Sequence, residues 1–215
     1  GASSVTTSIV DDDHAPVTQP EKVVMLVAPS PAGGSLALNV LRNDSDADGD
    51  PIRTEAGTKA AAYGIYIIGN NGELVYTLDG SKIAVDRLAN GETLMEDNFT
   101  YTVYDTDAGG VVAYNKVTGT AGLEIKAQSS YTGSSGVEWI FGTGQNESIK
   151  GGGGADILHG GAGNDTLYDH GDGKAILYGD EDNDSFIVAK TPAVVTADSL
   201  SEIHGGTGVD AIKLE

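Results

Sequence analysis

The chain has 215 residues, 39% of them hydrophobic and 31 of them glycine, and its 12 Lys+Arg face 32 Asp+Glu for a formal net charge of −20. That balance disfavours nucleic acid and anionic membranes, whose association begins with cationic side chains, and it makes divalent cations the natural counter-charge. Cysteine is absent, which excludes disulfides and thiolate metal sites, and no apolar run approaches the ~20 residues of a membrane-spanning helix.

Residues 1–20 read as an acidic leader or inter-domain linker. The opening GASSVTTSIV has neither the basic nor the apolar region of a signal peptide, and Asp11, Asp12 and Asp13 follow it. From 21 to 126, short apolar segments alternate between turn residues: Leu36, Leu38 and Val40; Ile65 and Ile67; Leu74, Tyr76 and Leu78; Phe99, Tyr101 and Val103. Period-2 alternation of this kind predicts half-buried antiparallel strands, about seven of them, in a β-sandwich. Asn71-Gly72 is a strong two-residue hairpin signal. KIAVDRLANG (82–91) is spaced for a helical turn ended by Gly91.

The loop NDSDADGD (43–50) carries Asp44, Asp46, Asp48 and Asp50, four carboxylates whose repulsion calls for a cation. Continued to Glu55, it satisfies the D-x-D-x-D-G-x5-E pattern of an EF-hand. The flanks are wrong for one. Leu36, Leu38 and Val40 are strand-like, and Pro51 and Gly57 oppose a helix, so the loop is expected to ligate calcium without a helix–loop–helix.

AQSSYTGSSG (127–136) reads as a linker, taken to residue 138, and VEWIF (137–141) opens the second module, 139–215. There the chain cuts into nines: GTGQNESIK (142–150), GGGGADILH (151–159) and GGAGNDTLY (160–168). An irregular DHGDGKAILY (169–178) follows, then GDEDNDSFI (179–187), and GGTGVDAIK (205–213) returns to register. This is the nonapeptide G-G-x-G-x-D-x-U-x of calcium-binding β-helix repeats. Glycines at the first, second and fourth positions let the backbone turn through φ > 0 and bare its carbonyls. The sixth position sets a carboxylate at the turn: Glu147, Asp156, Asp165, Asp184 and Asp210. The eighth supplies one inward apolar side chain: Ile149, Leu158, Leu167, Phe186 and Ile212. Asp172, Asp180 and Asp182 of the same tract join the candidate ligands. Stacked carboxylates and carbonyls suit Ca²⁺, a hard ion with flexible oxygen coordination. His159 falls at the ninth position and is expected, like His170, to be solvated. Residues 189–204 interrupt the stack before its last turn.

No nucleophile elbow, HExxH or P-loop motif is present, and GGGGAD and GGAG lack the βαβ unit of a nucleotide loop, so no catalytic residue is assigned and an enzyme is not expected.

The nonapeptide tract resembles the RTX (repeats-in-toxin) β-roll. That resemblance implies that carbonyls at the first and third positions, here Gly151, Gly153, Gly160 and Ala162, join the aspartates of adjacent turns. VLRNDSDADGDPI, NNGELVYTLDGS and LANGETLMEDNFTYTVYDTDAGG resemble VCBS and cadherin-like repeats of large bacterial surface proteins. Acidic loops at one end of such sandwiches bind calcium, which implicates Asp44, Asp46, Asp48 and Asp50, together with Asp105 and Asp107. The expectation is an all-β chain, a cadherin-like or Ig-like sandwich followed by a short parallel β-roll, that folds on binding several Ca²⁺ ions outside a Gram-negative cell after type I secretion. Its role would be adhesion, biofilm or surface scaffolding, with surface polysaccharide or neighbouring repeats as partners. Two alternatives stand beside it: a calcium-dependent carbohydrate-binding module using Tyr63, Tyr66, Tyr101 and Tyr104, and the C-terminal carrier of a secreted hydrolase.

Overall fold

The computed structural model describes residues 14–28, 33–83, 93–96, 98–106, 113–170, 173–189 and 201–215. The stretch EKVVML carries no polar–apolar alternation, which suits a strand buried on both faces. It forms β1 (Glu21–Leu26). The sandwich adds β2 (Gly33–Asn39), β3 (Ile52–Thr54), β4 (Gly57–Ala60), β5 (Gly64–Ile68), β6 (Glu73–Asp79), β7 (Thr93–Met95), β8 (Phe99–Thr106) and β9 (Ala113–Lys126). One sheet, β2-β6-β5-β4, is antiparallel throughout. The facing sheet runs β1-β9-β8-β3, with β7 also against β9. Its first pair departs from the antiparallel expectation, because β1 lies parallel to β9 from Glu21↔Ala121 to Leu26↔Lys126.

The alternation of β2, β6 and β8 is realised with the expected residues inside: Leu36, Leu38, Leu74, Tyr76, Leu78, Phe99, Tyr101 and Val103 share one core. In β5 the period holds but the face is reversed. Ile65 and Ile67 are 45% and 50% exposed, while Tyr66 and Ile68 are buried. The hairpin decides this. Gly72, at φ 82°, closes the turn so that Ile68 faces Leu74 and Tyr66 faces Tyr76, and a side-chain period of two sends the residues between them outward. The flanks of the 43–50 loop are β2 and β3, strands as anticipated. Of the helical turn expected at 82–91, a 3₁₀ turn at Gly80–Lys82 touches the start, and residues 84–91 lie outside the described residues.

The second half winds as a coil. Successive short strands alternate between two sheets: β10 (Ser130–Thr132), β11 (Trp139–Phe141), β12 (Ser148–Lys150), β13 (Ile157–Gly161), β14 (Thr166–Asp169), β15 (Ile176–Asp180), β16 (Ser185–Val188), β17 (Glu202–His204) and β18 (Ala211–Leu214). Even-numbered strands stack in parallel as β10-β12-β14-β16-β18, and odd-numbered ones as β11-β13-β15-β17. The eighth-position residues Ile140, Ile149, Leu158, Leu167, Leu177 and Phe186 fill the space between the sheets, each 1% exposed or less.

Two boundaries differ from the sequence reading. The stretch expected as a linker contributes β10, with Tyr131 in the roll core, because its Ser-Tyr-Thr fits the strand slot before Ser148–Lys150. The last turn does join the stack, since β18 pairs with β16, and the stretch 189–204 expected to interrupt it ends in a strand of the roll, β17, paired with β15. Nor are the modules separate beads. The other edge of β1 pairs in parallel with β11, Val23↔Trp139 to Met25↔Phe141, so one nine-stranded sheet runs through both. Val23 and Met25 face the sandwich core, while Val24 and Leu26 close the first turn of the roll. Trp139, Ile157 and Ile176, at the seventh positions, pack against the sandwich cluster.

Candidate metal-binding site

The nonapeptide builds a repeated turn whose glycines have two distinct jobs. In three repeats the second and fourth positions carry positive φ: Gly152 (90°) and Gly154 (109°), Gly161 (103°) and Gly163 (105°), Gly206 (91°) and Gly208 (128°). In 179–187 those places fall to Asp180 (75°) and Asp182 (73°), which accept the strain of a side chain there. The first position is glycine for space. A Cβ on Gly160 would press on Asp165 Oδ2 and stand 2.7 Å from the Gly179 carbonyl oxygen; one on Gly179 would press on Asp184 Oδ2 and stand 2.5 Å from that of Gly205.

The sixth-position acids form two rows, one along each edge of the roll. Each Oδ1 accepts from the backbone N–H of the acid one coil earlier. On one edge Glu147 N–H donates to Asp165 (2.7 Å), Asp165 to Asp184 (2.9 Å) and Asp184 to Asp210 (3.0 Å). On the other, Glu138 N–H donates to Asp156 at 2.9 Å. Asp156 and Asp165, one repeat apart in sequence, therefore lie on opposite edges.

What the second oxygen does separates the acids. Oδ2 of Asp165 and of Asp184 is buried without a hydrogen-bond partner, and the two residues are 1% exposed. Burial pushes the Asp165 carboxyl up to about 7, with Glu147, Asp184 and Asp180 adding like charge against the relief given by the Glu147 N–H. Asp184 is raised for the same first reason, burial, with Asp210, Asp180 and Asp182 adding to it. An orphaned, desolvated carboxylate oxygen beside a row of backbone carbonyls is what a hard cation would satisfy. Glu147 differs, because Thr143 answers its carboxylate with a hydroxyl at 2.5 Å and an N–H at 3.1 Å.

Other candidates fall around these rows. Asp180 Oδ2 lies 3.0 Å from His159 Nδ1, and Asp182 Oδ2 accepts from Gly163 N–H at 3.1 Å. Gly153 and Ala162 donate their N–H groups to the carbonyls of Ser134 and Thr143 on the preceding coil. The Gly151 and Gly160 carbonyls overlie Gly133 and Gly142, one coil earlier. Asp172 lies outside the described residues. His159 is not a solvated histidine: it stacks between Phe141 (4.9 Å) and Tyr178 (4.5 Å), and Tyr178 stacks on His204 at 4.6 Å. Ninth positions in register put these rings one strand spacing apart.

In the sandwich loop, backbone and neighbours take up much of the charge. Asp46 Oδ1 accepts from the N–H groups of Asp48 (2.9 Å) and Asp50 (3.2 Å), Asp44 Oδ1 from Gln19 N–H (2.8 Å), and Asp48 pairs with His14. Asp44 Oδ2, Asp46 Oδ2 and both oxygens of Asp105 remain buried without a hydrogen-bond partner. Among the described residues, no three acidic or imidazole groups converge on one point, in this loop or in the roll. Asp107 lies outside them.

The sequence reading missed Glu138. GSSGVEWIF (133–141) is itself a nonapeptide with Glu138 sixth and Ile140 eighth, so carrying the register back one unit would have found it. It also missed that Ala175 takes the sixth place in the irregular coil.

A family model described as "Bacterial Ig domain" matches residues 12–134, more than half of the chain. The chain belongs to the bacterial Ig domain family. A second model, the RTX calcium-binding nonapeptide repeat in four copies, matches residues 132–167, so it takes in Glu138, Glu147, Asp156 and Asp165. Searches of curated proteins and of solved structures returned no match. The Ig domain is thus followed by RTX repeats, and RTX nonapeptide repeats bind Ca²⁺.

Proposed function

We propose that the chain is a calcium-dependent structural module of a secreted bacterial surface protein, in which an Ig-like sandwich carries a roll that sets once Ca²⁺ is available outside the cell. The observation that carries this reading is the pair of buried, unpartnered oxygens, Asp165 Oδ2 and Asp184 Oδ2, beside glycine carbonyls. Bound calcium would supply the opposite charge that this edge lacks. The Asp165 and Asp184 carboxylates, with carbonyls of Gly179 and Gly205, are the residues placed to hold it. In the sandwich, Asp44, Asp46 and Asp105 each keep buried oxygens without a hydrogen-bond partner, which suits cation contacts at separate points of that end.

Type I secretion from a Gram-negative cell, and a role in adhesion, biofilm or surface scaffolding of the VCBS or cadherin-like kind, follow from the same reading. At cytosolic calcium the acid rows repel, and the chain can leave extended; at extracellular ~10⁻⁴–10⁻³ M it orders. Among the described residues no helix is long and apolar enough to cross a membrane. The carbohydrate reading loses support, since Tyr66 and Tyr101 lie 1% and 4% exposed within the core. Far-UV circular dichroism and melting during a calcium titration test the proposal: ordering of the 139–215 region with calcium is expected, and identical spectra and melting points in chelator and calcium would overturn it.

A further inference from the structure

The two edges of the roll are not equivalent, although the repeat that builds them is the same. Along the edge of Glu147, Asp165, Asp184 and Asp210, every sixth place is acidic. The steps across it, Leu158 to Leu167, Leu177 to Phe186 and Ile203 to Ile212, are each nine residues. The opposite edge is different. Its sixth places run Glu138, Asp156, Ala175 and Ser201, so the acids stop after two. Both departures from the nonapeptide length also fall there: the step from Leu167 to Leu177 is ten residues, and that from Phe186 to Ile203 is seventeen. A turn that must place several oxygens around one ion has a fixed length, whereas a turn without that duty tolerates insertion.

The same edge contains a cation from the chain itself. The β1–β11 register sets Lys22 level with Glu138, one rung before it, and on the same side of β1 as Val24 and Leu26, which face the roll interior. Glu138 is fully buried, its side chain 0% exposed, and its Oε1 meets the Lys22 ammonium, whose side chain keeps 42% exposure. Glu138 Oε2 accepts from Ser134 N–H at 2.6 Å and lies against Gly133 and near the Gly151 carbonyl. That is the relation Asp165 Oδ2 has to Gly160 and the Gly179 carbonyl, except that at Glu138 a cation is already in contact.

We propose that the roll takes up calcium along the Asp165–Asp184 edge alone, and that Lys22 is the built-in cation that completes the Glu138 turn in its place. This rests on the calcium reading above and refines it. The first coil is then set by the sandwich without metal, and calcium is needed only beyond it.

Native mass spectrometry of the full chain in calcium, comparing wild type with Asp156→Asn, Asp165→Asn, Asp184→Asn and Lys22→Met, counts the ions. Emission of Trp139, the single tryptophan, reports the first coil in chelator. Asp165→Asn and Asp184→Asn are each expected to lower the count, and Asp156→Asn to leave it. Wild-type emission should stay at its calcium-loaded position in chelator. Lys22→Met should shift it to the red, and calcium should reverse that shift with one ion more than wild type. Lys22→Arg keeps a cation and should behave as wild type. Loss of an ion in Asp156→Asn, unshifted emission in Lys22→Met, or a Lys22→Arg chain resembling Lys22→Met would overturn the assignment while leaving calcium binding intact. A wild-type chain that binds no ion would overturn both.

Discussion

Replacing Asp165 by Asn should reverse its effect on stability according to whether calcium is present. The isostere keeps Oδ1 as acceptor for the Glu147 N–H and removes the charge from the buried Oδ2. With the carboxyl pushed from 3.8 up to about 7 in the fold, the folded state binds more protons than the unfolded chain across that interval. Stability of the metal-free roll is therefore present at acid pH and is lost as pH rises through about 4 to 7. At about 1.4 kcal/mol per pH unit, the interval of roughly three units amounts to about 4 kcal/mol as an order of magnitude. In chelator near pH 8, Asp165→Asn should stabilise the roll by up to that amount, and near pH 4 it should change little. In millimolar calcium the sign inverts, because the variant has lost a ligand. Circular dichroism of both full-length chains reads the ordered fraction of the roll in the three conditions, and denaturant unfolding gives its stability wherever it is ordered. A variant that is destabilised equally in chelator and calcium near pH 8 would refute the reasoning, since it would make Asp165 a packing residue and not a charge awaiting an ion.

The face assignment of β5 has its own check: Tyr66→Ala should cost about 3–5 kcal/mol and Ile65→Thr less than about 0.5 kcal/mol, in urea unfolding of the sandwich. Gly161→Ala combines a φ of 103° with a Cβ driven against the Thr143 carbonyl oxygen. At least about 1–2 kcal/mol should be lost even with calcium bound, read as a fall in the roll's melting temperature. Glu21 is held up at about 8, first by burial and then by Asp44, against the hydrogen bond from Tyr101. Its folded value being raised, the wild-type sandwich should lose stability as pH rises from about 5 to 8, and Glu21→Gln should flatten that slope in urea midpoints measured across the range.

The repeat was legible because its constraints are local. Each coil states its own acid, its own apolar residue and its own glycines, and Leu158, Leu167 and Phe186 lie buried where the nonapeptide places them. Strand alternation was legible for β2, β6 and β8 on the same ground. What the sequence hid is pairing. Ile65 and Tyr66 are both apolar enough to face inward, and only the partner strand chooses between them. GSSGVEWIF looked like the end of a linker because its glycines are sparse and its acid is a glutamate. The role of Lys22 depends on β1 lying beside β11, a contact between residues 116 positions apart in sequence. Opposite edges for Asp156 and Asp165 are likewise invisible in a linear repeat, since alternate coils feed different sheets.

That pairing also gives the roll a direction of stability. Parallel strands are typically covered on both faces, and β1 gives the first coil an edge already fixed by six paired residues of β9. Each later coil is flanked only by other coils, and the last by its predecessor alone. At the far end the support runs out: β18 is exposed along its length, with Ile212 and Leu214 at 62% and 59%, and Val209 in the turn before it at 81%. The seventeen-residue step from Phe186 to Ile203 lengthens the connection at the same end. Amide exchange in calcium should therefore be slowest in β11, β12 and β13, intermediate in β15 and β16, and fastest in β17 and β18, because local opening needs to break contacts on one side only. Chelation should collapse protection in β14, β16 and β18 while leaving β11 near its calcium-loaded rate, since β11 leans on β1 and Lys22. Uniform protection along the stack, or a gradient running the other way, would mean that the roll holds itself together and that the sandwich is merely attached to it.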